Sequence, residues 1–385
     1  MTAHALLSAS GSKRWMMCTP SARLEATLPN QKRPHSGIDF SAEGTLAHSL
    51  SEIRLRLQFN QIGHEEYERE YDIIKTHPIY QNYKPNEQAD FEANVDNYVL
   101  YVRSQIGDGD TPLFEQRVDF SDWVPDGFGT ADVVILSQHS IRVIDLKFGK
   151  GIPVHAQDNP QLRLYALGAW SKFKEEYPDI KEVSYTIHQP RLDSISTDGT
   201  SIGKLLDWAN YYVKSKAKKA WAGSGEFLPG EWCQFCKAKA QCRARSDFNT
   251  ELAKLEFKAP PLLDEEEVSL VLSKAQNLRT WAADVEAYAL NKAVHDNVIP
   301  PGYKLGTTVT HRTITDKALA ATVLLEHGYK QEDILKPSEL KPITALEKLG
   351  PKGHISKLLG SLLDRPEGAP KLVRAKEITA KDDFS

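Results

Sequence analysis

Hydrophobic spacing divides the chain into a helical opening, a β-rich centre and a helical close. Over 41–59, "SAEGTLAHSLSEIRLRLQF", leucines recur at helical spacing behind Ser41, a cap candidate, so the pattern predicts an amphipathic helix carrying His48. The charged stretch that follows reads as helical again after Pro85. From 113 the period changes. "LFEQRVDF", "GTADVVIL" and "SIRVIDLKFG" are short runs rich in β-branched residues between turn-forming segments, which predicts consecutive strands in one sheet. A helix opened by Asn159 and Pro160 comes next, then a strand over "EVSYTIHQP" and a helix over 200–222. The order helix, three strands, helix, strand predicts an α/β core from about 40 to 222.

"KAPPLLDEEE" combines a proline pair with an acidic run and marks a boundary. Beyond it Asp264 and Glu267 form an acidic capping box, and Val268, Val271, Ala275, Leu278, Ala282, Val285 and Ala289 repeat at helical spacing up to Pro300, Pro301 and Gly302. A strand at "YKLGTTVTH", a helix at "TDKALAATVLLEHG", short helices around "PITALEKLG" and "GHISKLLGSLL", and a polar tail from 365 complete the expectation.

Composition adds limits. The 385 residues are 41% hydrophobic and 26% charged with net charge -4, an ordinary globular balance with room for two domains. No stretch approaches the roughly 20 apolar residues that span a bilayer, and the N-terminus lacks an apolar signal core, so a cytoplasmic location away from membranes is expected. The near-neutral charge means that any polyanion site is local. Lys214, Lys216, Lys218, Lys219, Lys237, Lys239, Arg243 and Arg245 form the densest basic stretch, either a phosphate-tracking surface or a solvated helix face.

The chemistry begins with "VIDLK". Asp145 and Lys147, two apart on a strand, share a face, while Ile144, Leu146 and Phe148 take the other. Burying such charge is costly unless it is compensated, by an ion pair or by a metal site. Asp132, in the apolar setting of "GTADVVIL", shifts the balance toward metal: a hairpin through "SQHS" brings it near Asp145, and two adjacent carboxylates repel unless a hard cation such as Mg2+ or Mn2+ joins them. His48 is a third candidate ligand. Glu115 on the first strand is a further acidic candidate, weighed against a solvent-facing glutamate.

The set "GTLAH" (His48), "GTAD" (Asp132), "IDLK" (Asp145 and Lys147) and "QLRLY" (Gln161 and Tyr165), in this order, resembles the PD-(D/E)XK nucleases, specifically the RecB-like branch. The resemblance implies a mixed sheet flanked by helices and metal-dependent phosphodiester cleavage. It implies that His48, Asp132, Asp145 and the Leu146 main-chain carbonyl ligate Mg2+ or Mn2+, that Asp132, Asp145 and Lys147 are catalytic with Lys147 polarising the attacking water, and that Gln161 and Tyr165 support the site and contact DNA.

Cys18, Cys233, Cys236 and Cys242 are all the cysteines of the chain, spaced as one early residue and a late C-x2-C-x5-C. Four thiolates suit zinc and iron-sulfur clusters alike. The split spacing resembles the AddB-like and CRISPR-associated iron-sulfur members of the same branch, which implies a [4Fe-4S] cluster stapling the ends of a nuclease domain over 1–256, with 257–385 as a mainly helical C-terminal region. The whole resembles a phage and prophage nuclease group, which implies a DNA exonuclease of phage replication or recombination, in a bacterial cytoplasm, with DNA and a phage single-strand-binding or annealing protein as partners. The alternatives are a nuclease-fold DNA-binding module without turnover and a zinc-stapled adaptor.

Overall fold

The computed structural model describes residues 5–29, 40–151, 153–251 and 264–305. The chain divides into two units, Met1–Gly306 and Thr307–Ser385, and every described residue belongs to the first. Most of the strand expected at "YKLGTTVTH", and the helices and tail expected after it, lie outside the described residues.

Helices lead. α1 (Ser12–Met17) and α2 (Ser21–Thr27) precede α3 (Phe40–Gln58), α4 (His64–Thr76), the short α5 (Pro78–Gln81) and α6 (Pro85–Ser104). Three strands follow, β1 (Thr111–Asp119), β2 (Phe128–Leu136) and β3 (Ser140–Leu146), then α7 (Pro160–Phe173), β4 (Glu182–Gln189) and β5 (Ser194–Ser201). The chain continues through α8 (Ile202–Asp207), a π-helical turn (Trp208–Val213), α9 (Lys214–Ala222), α10 (Arg243–Thr250) and α11 (Glu265–His295).

The sheet has the order β1-β2-β3-β4-β5, antiparallel except where β3 and β4 run parallel across the α7 crossover. The expected "SQHS" hairpin is present, with the Ser137 amide donating to the Ser140 carbonyl at 2.9 Å. The result is an α/β fold with a mixed five-stranded sheet flanked by helices.

Each face of the sheet buries a core. Ile144, Leu146 and Phe148 pack with α3 and α6 residues such as Leu50 and Val99, as the alternation in "VIDLKF" predicts. Val143, Val134 and Ala131 pack on the opposite side with Leu162, Tyr165 and Ala166 of α7. α7 starts where the sequence places it, because the Asn159 side chain accepts from the amides of Gln161 and Leu162 and Pro160 needs no donor there. Two glycines let α7 lie close on the sheet. A Cβ on Gly168 would stand 2.9 Å from Val118 Cβ, and one on Gly129 would stand 2.7 Å from the Tyr165 ring. Gly129 of "GTAD" is thus the seat of Tyr165.

Two expectations change. The helix expected over 200–222 begins at Ile202, because 200–201 end β5, an edge strand that strict apolar patterning misses. Its sequence "SISTDGTS" alternates exposed and half-buried positions with a single large apolar residue, Ile195. α11 ends at His295 rather than at the prolines, and it belongs to the first unit, past the boundary expected at 256. Arg245 of α10 donates to Asp284 Oδ2 at 2.6 Å, and Lys239 pairs with Asp284 Oδ1 at 2.7 Å.

His188 on β4 is buried among the rings of Tyr98 and Tyr101, and its carbonyl accepts from the Lys147 amide at 2.9 Å. Burial holds its imidazole down, to about 4 from 6.5. The folded state therefore keeps it neutral while the unfolded chain takes up a proton below 6.5, so its contribution is intact above that pH and fades as pH falls toward 4. Between pH 7.5 and 5 the loss is about 2 kcal/mol. In urea denaturation across this range the wild type should lose about 2 kcal/mol relative to His188→Gln as pH falls, a difference that cancels the other titrating groups common to both.

Candidate metal centre

The N-terminal half of β2 and the C-terminal end of β3, side by side in the antiparallel pair, face α3 and the start of α7, and the polar side chains expected to act together converge there. His48 reaches from α3, with Nδ1 3.2 Å from Asp132 Oδ1. Asp132 accepts at Oδ2 from the Leu146 amide at 2.7 Å, which locks its carboxylate to the next strand. Asp145 is 2% exposed; its Oδ2 lies 2.7 Å from Lys147 Nζ, and its Oδ1 accepts from Gln161 Nε2 at 3.1 Å. Gln161 also donates to the Tyr165 hydroxyl at 3.1 Å and accepts from Lys147 at 3.4 Å. The Gln161–Tyr165 spacing of one helical turn therefore yields one continuous network with Asp145 and Lys147.

Glu115 joins this centre, and the alternative of a solvent-facing strand residue does not describe it. The β1–β2 register sets Glu115 opposite Asp132, and its Oε1 lies 3.9 Å from His48 Nδ1. Its backbone has φ 46°, a left-handed conformation unusual for a strand glutamate. Ligand atoms of His48, Glu115 and Asp132 all lie within 4.8 Å of one another. Small inward shifts of these side chains would let one cation about 2.1 Å from each donor bind all three.

The electrostatics call for positive charge. Burial would lower His48, but Asp132, Asp145 and Glu115 together lift it to about 9, so the imidazolium compensates the acids. Burial, then Asp132, raises Glu115 to about 7. Asp145 is raised by burial and by Asp132 against the pull of Lys147, whereas at Asp132 burial, which raises it, is overcome by His48, Lys147 and the Leu146 amide together, and it is lowered. Lys147 stays firmly charged: burial opposes this, and Asp145 and Asp132 prevail. The donors are hard oxygens and one imidazole, with a lysine alongside, which suits Mg2+ or Mn2+. A cleft lined by Gly44, Thr45, His48, Lys147, Gly149 and Gly151 opens onto them, and no side chain stands in it at the three glycines, where a Cβ would touch nothing.

Glu115→Asn is expected to relieve both the strained backbone and the buried charge, since asparagine tolerates φ > 0. Metal-free protein should gain about 1 kcal/mol and a few degrees in thermal midpoint. The same variant should need more Mn2+ to reach the full metal-induced rise in that midpoint, which calorimetry with and without Mn2+ will read.

The four cysteines, distant in sequence, line one cavity. Cys18 follows α1, and its neighbourhood is tied to the late segment without any metal. Glu25 accepts from the Lys237 amide at 2.7 Å, Thr19 donates to the Ser224 carbonyl at 2.6 Å, and Arg14 donates to the Phe235 carbonyl at 3.2 Å. No disulfide joins them. Burial raises the thiols of Cys18 and Cys233 and pushes Cys236 up to about 12, so ligation there has to displace protons.

Fold and side chains together define an α/β protein with a candidate hard-cation centre and a separate cavity of four cysteines. The chain belongs to the family described as "Protein of unknown function (DUF2800)", whose model matches residues 4–378. Among solved structures it is similar to "Crystal structure of SSO0001", at 12% identity over 60% of this chain and 96% of that one, with a TM-score of 0.24. Among the described residues no helix is long and apolar enough to cross a membrane.

Proposed function

We propose that the protein is a divalent-metal-dependent DNA exonuclease of the PD-(D/E)XK, RecB-like kind. The observation that carries this reading is the convergence of His48, Glu115 and Asp132 at ligand spacing beside the Asp145–Lys147 pair. His48, Glu115 and Asp132 would hold Mg2+ or Mn2+, with Asp145 and the Leu146 carbonyl completing the set as the resemblance implies. The bound ion supplies Lewis-acid stabilisation of phosphate charge and a lowered pKa for water.

The chain's own residues do the rest. Asp145 and Gln161 hold the Lys147 ammonium at the mouth of the cleft, where it orients the attacking water and faces the negative charge that develops on a phosphate oxygen. Asp132, fixed by the Leu146 amide, keeps its position as the ion binds. Tyr165, seated on Gly129, holds Gln161 in place.

For the cysteine cavity the split spacing favours a [4Fe-4S] cluster, with one zinc ion as the alternative. Zinc with sulfurs at about 2.3 Å would draw them to ~3.8 Å from one another. Among the described residues no three cysteine sulfurs lie within 4.8 Å of one another. Phage DNA replication or recombination is the setting that this reading favours, with DNA as substrate. The test is Mg2+-dependent shortening of end-labelled linear DNA, with covalently closed circular DNA left intact; no cleavage by anaerobically purified protein would favour the DNA-binding module.

A further inference from the structure

The helical segment 208–222 buries one face and leaves the other without a protein partner among the described residues. Ala209, Val213, Ala217 and Ala220 are buried in the core. On the opposite face Tyr211 is 81% exposed, and Lys214 and Lys218 continue its stripe at three- and four-residue spacing. Tyr212 stands at the edge of this face, its hydroxyl donating to the Met17 sulfur at 3.9 Å and the Lys216 ammonium 5.6 Å from its ring centroid. Among the described residues, none of Lys214, Lys216, Lys218 and Lys219 is ion-paired.

The segment is held rigidly at both ends. Its start packs near α7, where Arg163 lies 5.6 Å over the Trp208 ring, and Asn210 accepts from Trp123 Nε1 at 3.1 Å. Its end is fixed by Arg23, which donates to the Trp221 carbonyl at 2.6 Å. The stripe thus runs from the helix that carries Gln161 and Tyr165 toward the neighbourhood of Cys18. The π-helical turn at 208–213 adds a residue to the winding and sets two tyrosines side by side on the outer surface, a feature common at functional sites.

Unpaired lysines four apart repel one another, and an exposed tyrosine leaves its ring faces in water. A polyanion with accessible π faces satisfies both. Duplex DNA presents phosphates but hides its base faces, whereas a single strand offers both at once. We propose that the Tyr211–Lys214–Lys218 stripe binds single-stranded DNA, with Tyr211 stacking on an unpaired base and the lysines pairing with flanking phosphates. The choice of DNA rests on the nuclease reading.

The test is fluorescence anisotropy of labelled oligo(dT), oligo(rU) and a blunt duplex with the full chain in EDTA, over a salt series. The wild type should favour oligo(dT) over the duplex. Tyr211→Ala should weaken oligo(dT) binding about tenfold with an unchanged salt slope, and Tyr211→Phe should bind as wild type. Lys214→Ala/Lys218→Ala should reduce the log-log salt slope by about 1.4. The proposal is overturned if the variants bind as wild type, if duplex or oligo(rU) is preferred, or if Tyr211→Ala acts by changing the oligomeric state in ultracentrifugation. Cleavage is read separately in Mg2+. Unaltered binding by the variants with intact wild-type cleavage removes the stripe alone, and weakened binding by the variants without wild-type cleavage removes the nuclease reading alone.

Discussion

Lys147→Ala is expected to lower Mg2+-dependent DNA cleavage by about 10²–10³-fold, the usual cost of removing one preorganised charge from the reacting centre. It should also lower stability, because Asp145 is 2% exposed and loses its cation partner. Breaking a buried pair costs about 3–5 kcal/mol. Lys147 keeps 30% of its side chain in contact with solvent, so a loss of about 2 kcal/mol is expected here. Lys147→Met/Asp145→Asn separates the two effects, since Gln161 can still hydrogen-bond an amide at 145 and no unpaired charge remains. That double variant should recover most of the denaturation midpoint and none of the cleavage. Cleavage that returns with stability would show Lys147 to be a folding residue only, and unchanged cleavage in Lys147→Ala would remove it from the reaction.

The parts of this centre that were legible in the sequence are those fixed by local rules. Period-two alternation put Asp145 and Lys147 on one face and Ile144, Leu146 and Phe148 on the other, and the Asn159–Pro160 start set the phase of the helix that carries Gln161 and Tyr165. Asp132 was conspicuous because a carboxylate stood in an apolar run. Glu115 was not, since its membership depends on the β1–β2 register and on a left-handed backbone at one residue, which no pattern in "LFEQRVDF" announces. β5 escaped for a related reason: its partner β4 supplies the order, and its own residues carry little hydrophobic signal. The tie between Cys18 and the late cysteines is made by Glu25, Thr19 and Arg14, whose partners are main-chain atoms. Any side chain could sit at those partner positions, so these contacts leave no trace in the sequence, where only the cysteine spacing implies that the two segments meet.

Cys18→Ala and Cys236→Ala should each remove the metal from the cysteine cavity and lower the thermal midpoint by roughly 10–20 °C. The size follows from chain entropy. Cys18 and Cys233 stand more than two hundred residues apart, and a staple closing a loop of that length is worth about 5 kcal/mol, at 2–4 °C for each kcal/mol in a unit of this size. Anaerobically purified wild type should be brown and contain iron and acid-labile sulfide in equal amounts, and both variants should be colourless. A colourless wild type with one equivalent of zinc would assign the mononuclear site instead, and unchanged midpoints in metal-free variants would leave the cysteines without a stapling role. The two centres are also separable by ligand chemistry. Brief EDTA treatment should strip the oxygen-rich site of His48, Glu115 and Asp132 and stop cleavage, while the colour persists. Added Mg2+ should then restore the reaction in wild type, and in Cys18→Ala only below its lowered midpoint, an outcome that would assign the cysteines to the fold and not to the phosphate chemistry.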